Sequence, residues 1–388
     1  MALDVEGPII NPRFDFAWLT LDELVKGGDK QELYQEVKIF DEYDDERWRH
    51  ERAVIGHSTG TTPIICSLLS IALGTKNSAL LSLARKHLQF TPGAKELVRW
   101  LKDKKKIQPY LISSAHPAAI LPVAYELGIA SSHVFCNGYQ LTLKKTADLD
   151  KKRQAKPATI EKTLLEELHE RFPYDEYSGS GALLKFLKKY LDVCSRMHEH
   201  YIAGAIDEKA LGPLKAEQER LLGEVGAEGS KLAEDLWYLL YSEVGVMGGH
   251  RKRLALMEIQ RRENIERANL IYTGDGLVDA DPLAYSGHGI SINCTNKETL
   301  LSSQVNIATP TAFSLSHVVE FLSSGGELGP ETRSILQHEI NADIEKEKAM
   351  PPAKVTIKNE IRNNLEGVIQ ENKLCKDHIK SLKSSDKH

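Results

Sequence analysis

The sequence predicts an α/β fold: a doubly wound parallel sheet carrying helical insertions. Short apolar runs recur along the chain, each ending in a small or acidic loop, and stretches with apolar residues at helical spacing follow those loops. Strands alternating with helices imply right-handed crossovers and a parallel sheet. At 388 residues the chain is also long enough for such a core plus a second globular part.

The first strand is expected at Ala2 to Val5, running into Glu6-Gly7-Pro8. Pro109 to Ile112 forms the second, before Ser113-Ser114 and a helix around Ala118 to Leu127. His133 to Cys136 reads as the third, Leu270 to Thr273 and Gly289 to Asn293 as a later pair, and Val305 to Ala308 as an edge strand. Two stretches interrupt this pattern with helical periodicity alone, one of them carrying Leu183, Leu184, Leu187 and Leu191, then Leu232, Leu236, Leu239 and Leu240. The predicted division is therefore core (1–12), helical cap (13–91), core (92–150), helical insertion (151–245) and core (246–322). A charged, helix-prone and partly flexible tail (323–388) completes it.

Composition limits the function. Apolar residues at 41% and charged residues at 27% are ordinary globular values. A net charge of -5 offers no general basic footprint for nucleic acid or an anionic membrane. No stretch has the apolar length of a membrane span, and Met1-Ala2-Leu3-Asp4 lacks the pattern of a secretory signal. The cysteines (Cys66, Cys136, Cys194, Cys294, Cys375) are scattered without a CxxC pair, which suits a reducing cytoplasm rather than disulfides or zinc.

Four segments carry chemistry. In Leu3-Asp4-Val5-Glu6-Gly7-Pro8, strand alternation puts Asp4 and Glu6 on one side, where one carboxylate can attack and the other can move a proton. Taken alone, solvated loop acids are the plainer reading. Ser113 ends a strand ahead of a helix, where a hydroxyl and backbone N–H groups can hold a phosphate oxygen, or where serine simply caps the helix. Gly248-Gly249-His250-Arg251-Lys252-Arg253 sets a basic cluster at a helix head, against the macrodipole, so a compensating anion and a solvated basic face both remain open. The sharpest segment is Thr273-Gly274-Asp275-Gly276-Leu277-Val278-Asp279, an apolar strand leading into two acids that can face one hard cation. A calcium loop would need acids at alternate positions and a distal Glu, which are absent.

In order, these segments resemble the signature motifs of the haloacid dehalogenase superfamily. Asp4-Val5-Glu6-Gly7 is similar to its DxDG nucleophile motif, Ser113 to the hydroxyl motif, Lys252 to the basic motif, and Gly274-Asp275 to Asp279 to GDxxxD. The resemblance covers about half the chain. Helices after the first motif resemble the cap of the phosphoserine phosphatase-like branch, and the start resembles its archaeal phosphatase-like proteins. One departure is Glu6 where the second acid is usually Asp; the longer side chain still offers a carboxyl to protonate a leaving group.

The resemblance implies a cytoplasmic Mg2+-dependent phosphatase acting on a small phosphorylated metabolite. Asp4 would form an aspartyl-phosphate, Glu6 would serve as acid and then base, and Ser113 and Lys252 would hold the phosphoryl group. Asp4, the Glu6 carbonyl and Asp275 would hold Mg2+, with Asp279 at the metal site by orienting a metal water or Lys252. Arg251 and Arg253 are the fallback cations. Ser114, Arg47 and Arg52 are candidate substrate contacts, the arginines because a guanidinium binds a carboxylate bidentately; i,i+4 ion pairs on a solvated helix are their plainer role. Two other functions stay open: a non-catalytic subunit whose helical insertions dock partners or copies, and a phosphotransferase to an acceptor other than water. Gly56-His57-Ser58-Thr59-Gly60 fits a hydrolase nucleophile elbow, but too few strands precede it to build the sheet an elbow needs.

Overall fold

The structure, a computed structural model, describes residues 1–11, 15–25, 31–51, 60–137, 157–172, 174–202, 208–227, 246–345 and 350–382. Its centre is a seven-stranded sheet built from β1 (Ala2–Asp4), β2 (Tyr110–Ile112), β3 (Val134–Phe135), β4 (Ile271–Gly274), β5 (His288–Ile292), β6 (Val305–Ala308) and β7 (Lys354–Ile357). The spatial order is β3-β2-β1-β4-β5-β6-β7. All neighbours run parallel except β6 and β7. Nearly every strand residue is buried, which is why the strands read as unbroken apolar runs rather than alternating ones.

The chain lays β2 and β3 outward on one side of β1, then returns to lay β4 on the other. The crevice at the carboxyl ends of β1 and β4 is thus a topological switch point, where such sheets bind ligands. Leu3 is registered between Leu111 and Thr273, so Asp4 leaves the sheet between the ends of β2 and β4.

Among the described residues, five helices separate β1 from β2: α1 (Phe16–Val25), α2 (Gln31–Glu51), α3 (Thr62–Ala72), α4 (Asn77–His87) and α5 (Ala94–Asp103). After α6 (Pro117–Glu126) and β3, a second helical excursion holds α7 (Pro157–Arg171), α8 (Gly181–Ile202), α9 (Glu208–Ala227) and α10 (His250–Glu263). The two excursions pack on each other. Phe40 of α2 meets Tyr190 of α8 at 6.1 Å between ring centroids, and Tyr43 meets Tyr201 at 5.9 Å. Arg171 and Glu167, both fully buried, pin α7 to the β3 edge, with the guanidinium donating to Ser131 and Val134 carbonyls and Ser131 Oγ donating to Glu167. The leucine run at 232–240 lies outside the described residues.

Beyond β4 come α11 (Ala280–Tyr285), α12 (Lys297–Ser302), α13 (Leu315–Ser323), α14 (Pro330–Ile344), α15 (Lys358–Asn363) and α16 (Leu365–Ser381). Here one expectation is corrected. The segment expected to be a helical tail supplies β7, which pairs antiparallel with β6, so Val305–Ala308 is not at the edge. The strand, Lys354-Val355-Thr356-Ile357, begins on an exposed lysine and alternates polar with apolar residues, so it lacks an unbroken apolar run, and its pairing partner is far away in sequence. α16 is docked as well. Asn372 and Asn306 exchange side-chain hydrogen bonds at 3.1 Å, and Asn11 Nδ2 donates to the Ile379 carbonyl at 3.2 Å. Among the described residues, no helix is long and apolar enough to cross a membrane.

Candidate active site

Beyond Asp4 the chain closes a tight turn, with Ile9 and Ile10 N–H groups on the Val5 carbonyl and Gly7 N–H on the Ile10 carbonyl. Gly7 holds φ +93°, and a Cβ there would sit 2.5 Å from Asp275 Oδ1. Only a residue without a side chain lets the β1 turn and the β4 loop come together this closely. Glu6 is half-buried in the turn.

The β4 loop folds back on itself through Asp279. Its Oδ2 accepts the backbone N–H groups of Asp275 at 3.0 Å and Gly276 at 2.9 Å. Its Oδ1 accepts Tyr272 OH at 2.6 Å and Lys252 Nζ at 2.7 Å. The same ammonium donates to Asp4 Oδ1 at 2.8 Å. Lys252 is fully buried, and Asp4 is 4% exposed. The helix that carries Lys252 begins at a backbone bond from Gly249 N–H to the Val278 carbonyl, which sets its head against the acid loop. Arg251 and Arg253 are not needed as substitutes, since Lys252 itself reaches Asp4.

Burial pushes the Asp4 carboxyl well above the usual carboxylate range, with Asp279 adding to the rise and Lys252 opposing it. Glu6 is raised by burial, then by Asp15 and Asp4. Burial also raises Asp275, against the pull of Lys376. For Lys252, burial opposes the charge, but Asp279 and Asp4 outweigh it and hold the ammonium protonated.

Asp4, Asp275 and Asp279 can each place one carboxylate oxygen within 4.8 Å of the others, a hard oxygen set of the kind a divalent cation accepts. They do not fit equally. Both oxygens of Asp279 already accept two hydrogen bonds, whereas Asp4 and Asp275 each engage a single oxygen, with Lys252 and Lys376 respectively. Asp279 therefore suits orientation of its neighbours better than direct ligation.

Ser113 lies just past β2, fully buried, its Oγ accepting the Ala115 N–H at 3.0 Å. It does not cap α6. His116 does, accepting the Ala118 N–H on Nδ1. Ser114 is buried and gives its carbonyl to Asn137 Nδ2, while Asn137 Oδ1 accepts the Met247 N–H at 2.5 Å. Asn137 thus ties the β2 loop to the segment leading to Lys252. Arg47 is half-buried on α2, where its charge acts on Tyr43, Asp44 and Cys194. Arg52 lies outside the described residues, as do Gly56 to Thr59 of the elbow-like run.

No family model matches the sequence, and no curated protein matches it. A solved structure does. Gene product AF1437 from Archaeoglobus fulgidus superposes with a TM-score of 0.58 over 98% of this chain and 96% of that chain. The two are 18% identical, so the likeness concerns the fold alone.

Sequence reasoning missed four residues that shape the site. Tyr272, Asn137 and Asp44 each sat in plain view with no local pattern to mark them. Asp44 Oδ2 accepts the N–H groups of Gly60 at 2.8 Å and Thr61 at 2.9 Å, and Gly60 lies against Ser114 and Val278. The helical layer reaches the core at two further places, through Trp48 packed with Leu277 and Ala280 and through Arg49 Nε 3.5 Å from Glu298. The fourth is Lys376, whose Nζ lies 2.7 Å from Asp275 Oδ2.

Proposed function

We propose that this protein is a Mg2+-dependent phosphatase of the haloacid dehalogenase type, hydrolysing a small phosphorylated metabolite. The observation that carries the reading is the single ammonium of Lys252 held between Asp4 and Asp279, residues brought from three separate segments to the switch point of the sheet. A buried lysine beside an acid at a strand end is what nucleophilic attack on a phosphoryl group requires: an oxygen to attack and a fixed cation for the charge that develops.

Asp4 attacks phosphorus, the bond to the leaving oxygen breaks, and an aspartyl-phosphate forms. Glu6, two residues on, gives its proton to the leaving oxygen, then takes one from the water that hydrolyses the intermediate. Lys252 holds Asp4 in place and neutralises charge on the phosphoryl oxygens. Ser113 donates to one of those oxygens once its hydroxyl turns to it. Asp279 orients Lys252 and shapes the Asp275 loop. Asp4 and Asp275 would hold Mg2+ with the Glu6 carbonyl, and the bound cation would lessen repulsion between an anionic nucleophile and an anionic substrate. The two packed helical excursions act as the cap that selects the substrate.

The test is hydrolysis of an aryl phosphate with and without Mg2+, by wild type and Asp4→Asn. Metal-dependent turnover lost in the variant supports the reading. Absence of turnover, together with no Mg2+-dependent stabilisation by trifluoroberyllate, would instead favour a non-catalytic subunit.

A further inference from the structure

Asp275 is already engaged by a cation that belongs to the chain. Its Oδ2 meets Lys376 Nζ at 2.7 Å, and the carboxylate lies against Gly7 in the turn that follows Asp4. Lys376 comes from α16, and that helix is fastened on both sides of it. Four residues earlier Asn372 is bonded to Asn306; three residues later the Ile379 carbonyl receives Asn11 Nδ2 from the β1 turn. Val368 packs with Cys294, Leu300 and Ile361. The ammonium is consequently delivered to Asp275 by a fixed backbone, and can leave only by rotation of its own side chain, which is 22% exposed.

We propose that Lys376 is a positioning residue that acts as a resident counter-ion of Asp275 and competes with the divalent cation. The proposal rests on the metal-dependent reading above. A divalent ion on Asp4 and Asp275 would sit within a few ångströms of a positive charge that the fold keeps in place. Binding of metal alone is weakened by that repulsion, because like charges at this range in a partly buried site are poorly screened. A phosphate dianion arriving with the metal restores the balance, so metal and phosphate bind better together than apart. The reciprocal coupling follows from linkage. Lys376 thereby keeps the site from holding metal firmly before substrate arrives.

The experiment is titration of the full-length protein with Mn2+ alone, followed by the resonance of free Mn2+, and again with saturating inorganic phosphate. Lys376→Met keeps the aliphatic stem without the charge, Lys376→Gln keeps a donor to Asp275, and Lys376→Arg keeps the charge. Both neutral variants are expected to bind Mn2+ alone about tenfold more tightly than wild type. They should also gain less from added phosphate, while Lys376→Arg behaves as wild type. Thermal melting checks that each variant is folded, and the agreement of Met and Gln guards against a packing defect in either. Neutral variants that bind Mn2+ no better than wild type would overturn the competition and leave the metal site standing. Failure of every protein, wild type included, to bind Mn2+ would overturn the metal-dependent reading and this proposal with it.

Discussion

Asp44 Oδ2 accepts the backbone N–H of Gly60 at 2.8 Å, and this bond links the middle of α2 to a segment lying against Ser114 and Val278. The Thr61 N–H uses the same oxygen. Asp44→Ala leaves both N–H groups without their acceptor, at a cost of about 1–3 kcal/mol for each one left buried. Its melting point and aryl-phosphate turnover should both fall, whereas Asp44→Asn, which keeps an acceptor oxygen, should retain most of each. Denaturation and steady-state kinetics on the pair decide it. An alanine variant as active as wild type would mean that the tie does not serve the site.

The buried acid cluster predicts opposite effects on stability and on activity. Burial and the neighbouring Asp279 disfavour the charge of Asp4. Asp4→Asn removes that charge and still offers Lys252 an oxygen. In metal-free buffer the variant should melt at or above the wild-type temperature, while turnover measured with Mg2+ drops by about a thousandfold or more. A variant that is both inactive and much less stable would point to a structural role for the carboxylate.

Gly7→Ala should damage the site in two ways, through a left-handed backbone at φ +93° and through a Cβ 2.5 Å from Asp275 Oδ1. Gly74 separates the two effects, since it holds φ +100° with nothing within 4 Å of an added Cβ. The strain alone costs about 1 kcal/mol, as Gly74→Ala should show, with turnover unchanged. Gly7→Ala should cost more, and turnover should fall with it. Equal losses of activity in the two variants would rule out the clash with Asp275.

His116 predicts a pH dependence. Its ring is buried between Phe16 and Phe172, and burial pushes its pKa from 6.5 down to about 3. The folded protein keeps the ring neutral, while the unfolded chain takes up a proton below about pH 6.5. The stability it contributes is therefore complete above that pH and declines on acidification at about 1.4 kcal/mol per pH unit. Urea denaturation at pH 7.5 and pH 5.0 should show wild type losing about 2 kcal/mol relative to His116→Asn, a residue that can still cap α6. A gap that does not change with pH would mean that the ring is not held neutral.

Local signals were enough for the strands of the parallel core and for the acids that end them. An apolar run closed by Asp4, or by Gly274-Asp275, is marked within a few residues, because burial on both faces and a glycine exit leave their trace in the immediate sequence. Local signals did not settle the cap of α6: serine is the commoner cap, yet His116 holds the position and accepts the Ala118 N–H. Asp44 looked like one more acid in a charged helix. Nothing nearby shows that the N–H groups it serves lie at Gly60 and Thr61.

By itself, the sequence determined an α/β sheet with Asp4, Ser113 and Asp275 at the ends of β1, β2 and β4. The tertiary structure alone decided that β7 closes the sheet, that the two helical excursions form one packed layer, and that Lys376 stands on Asp275. The reason is distance along the chain. Lys376 and Asp275 are 101 residues apart, and Lys252 and Asp4 are 248 apart. A contact of that span leaves no period in either segment and exists only once the sheet has brought their ends together.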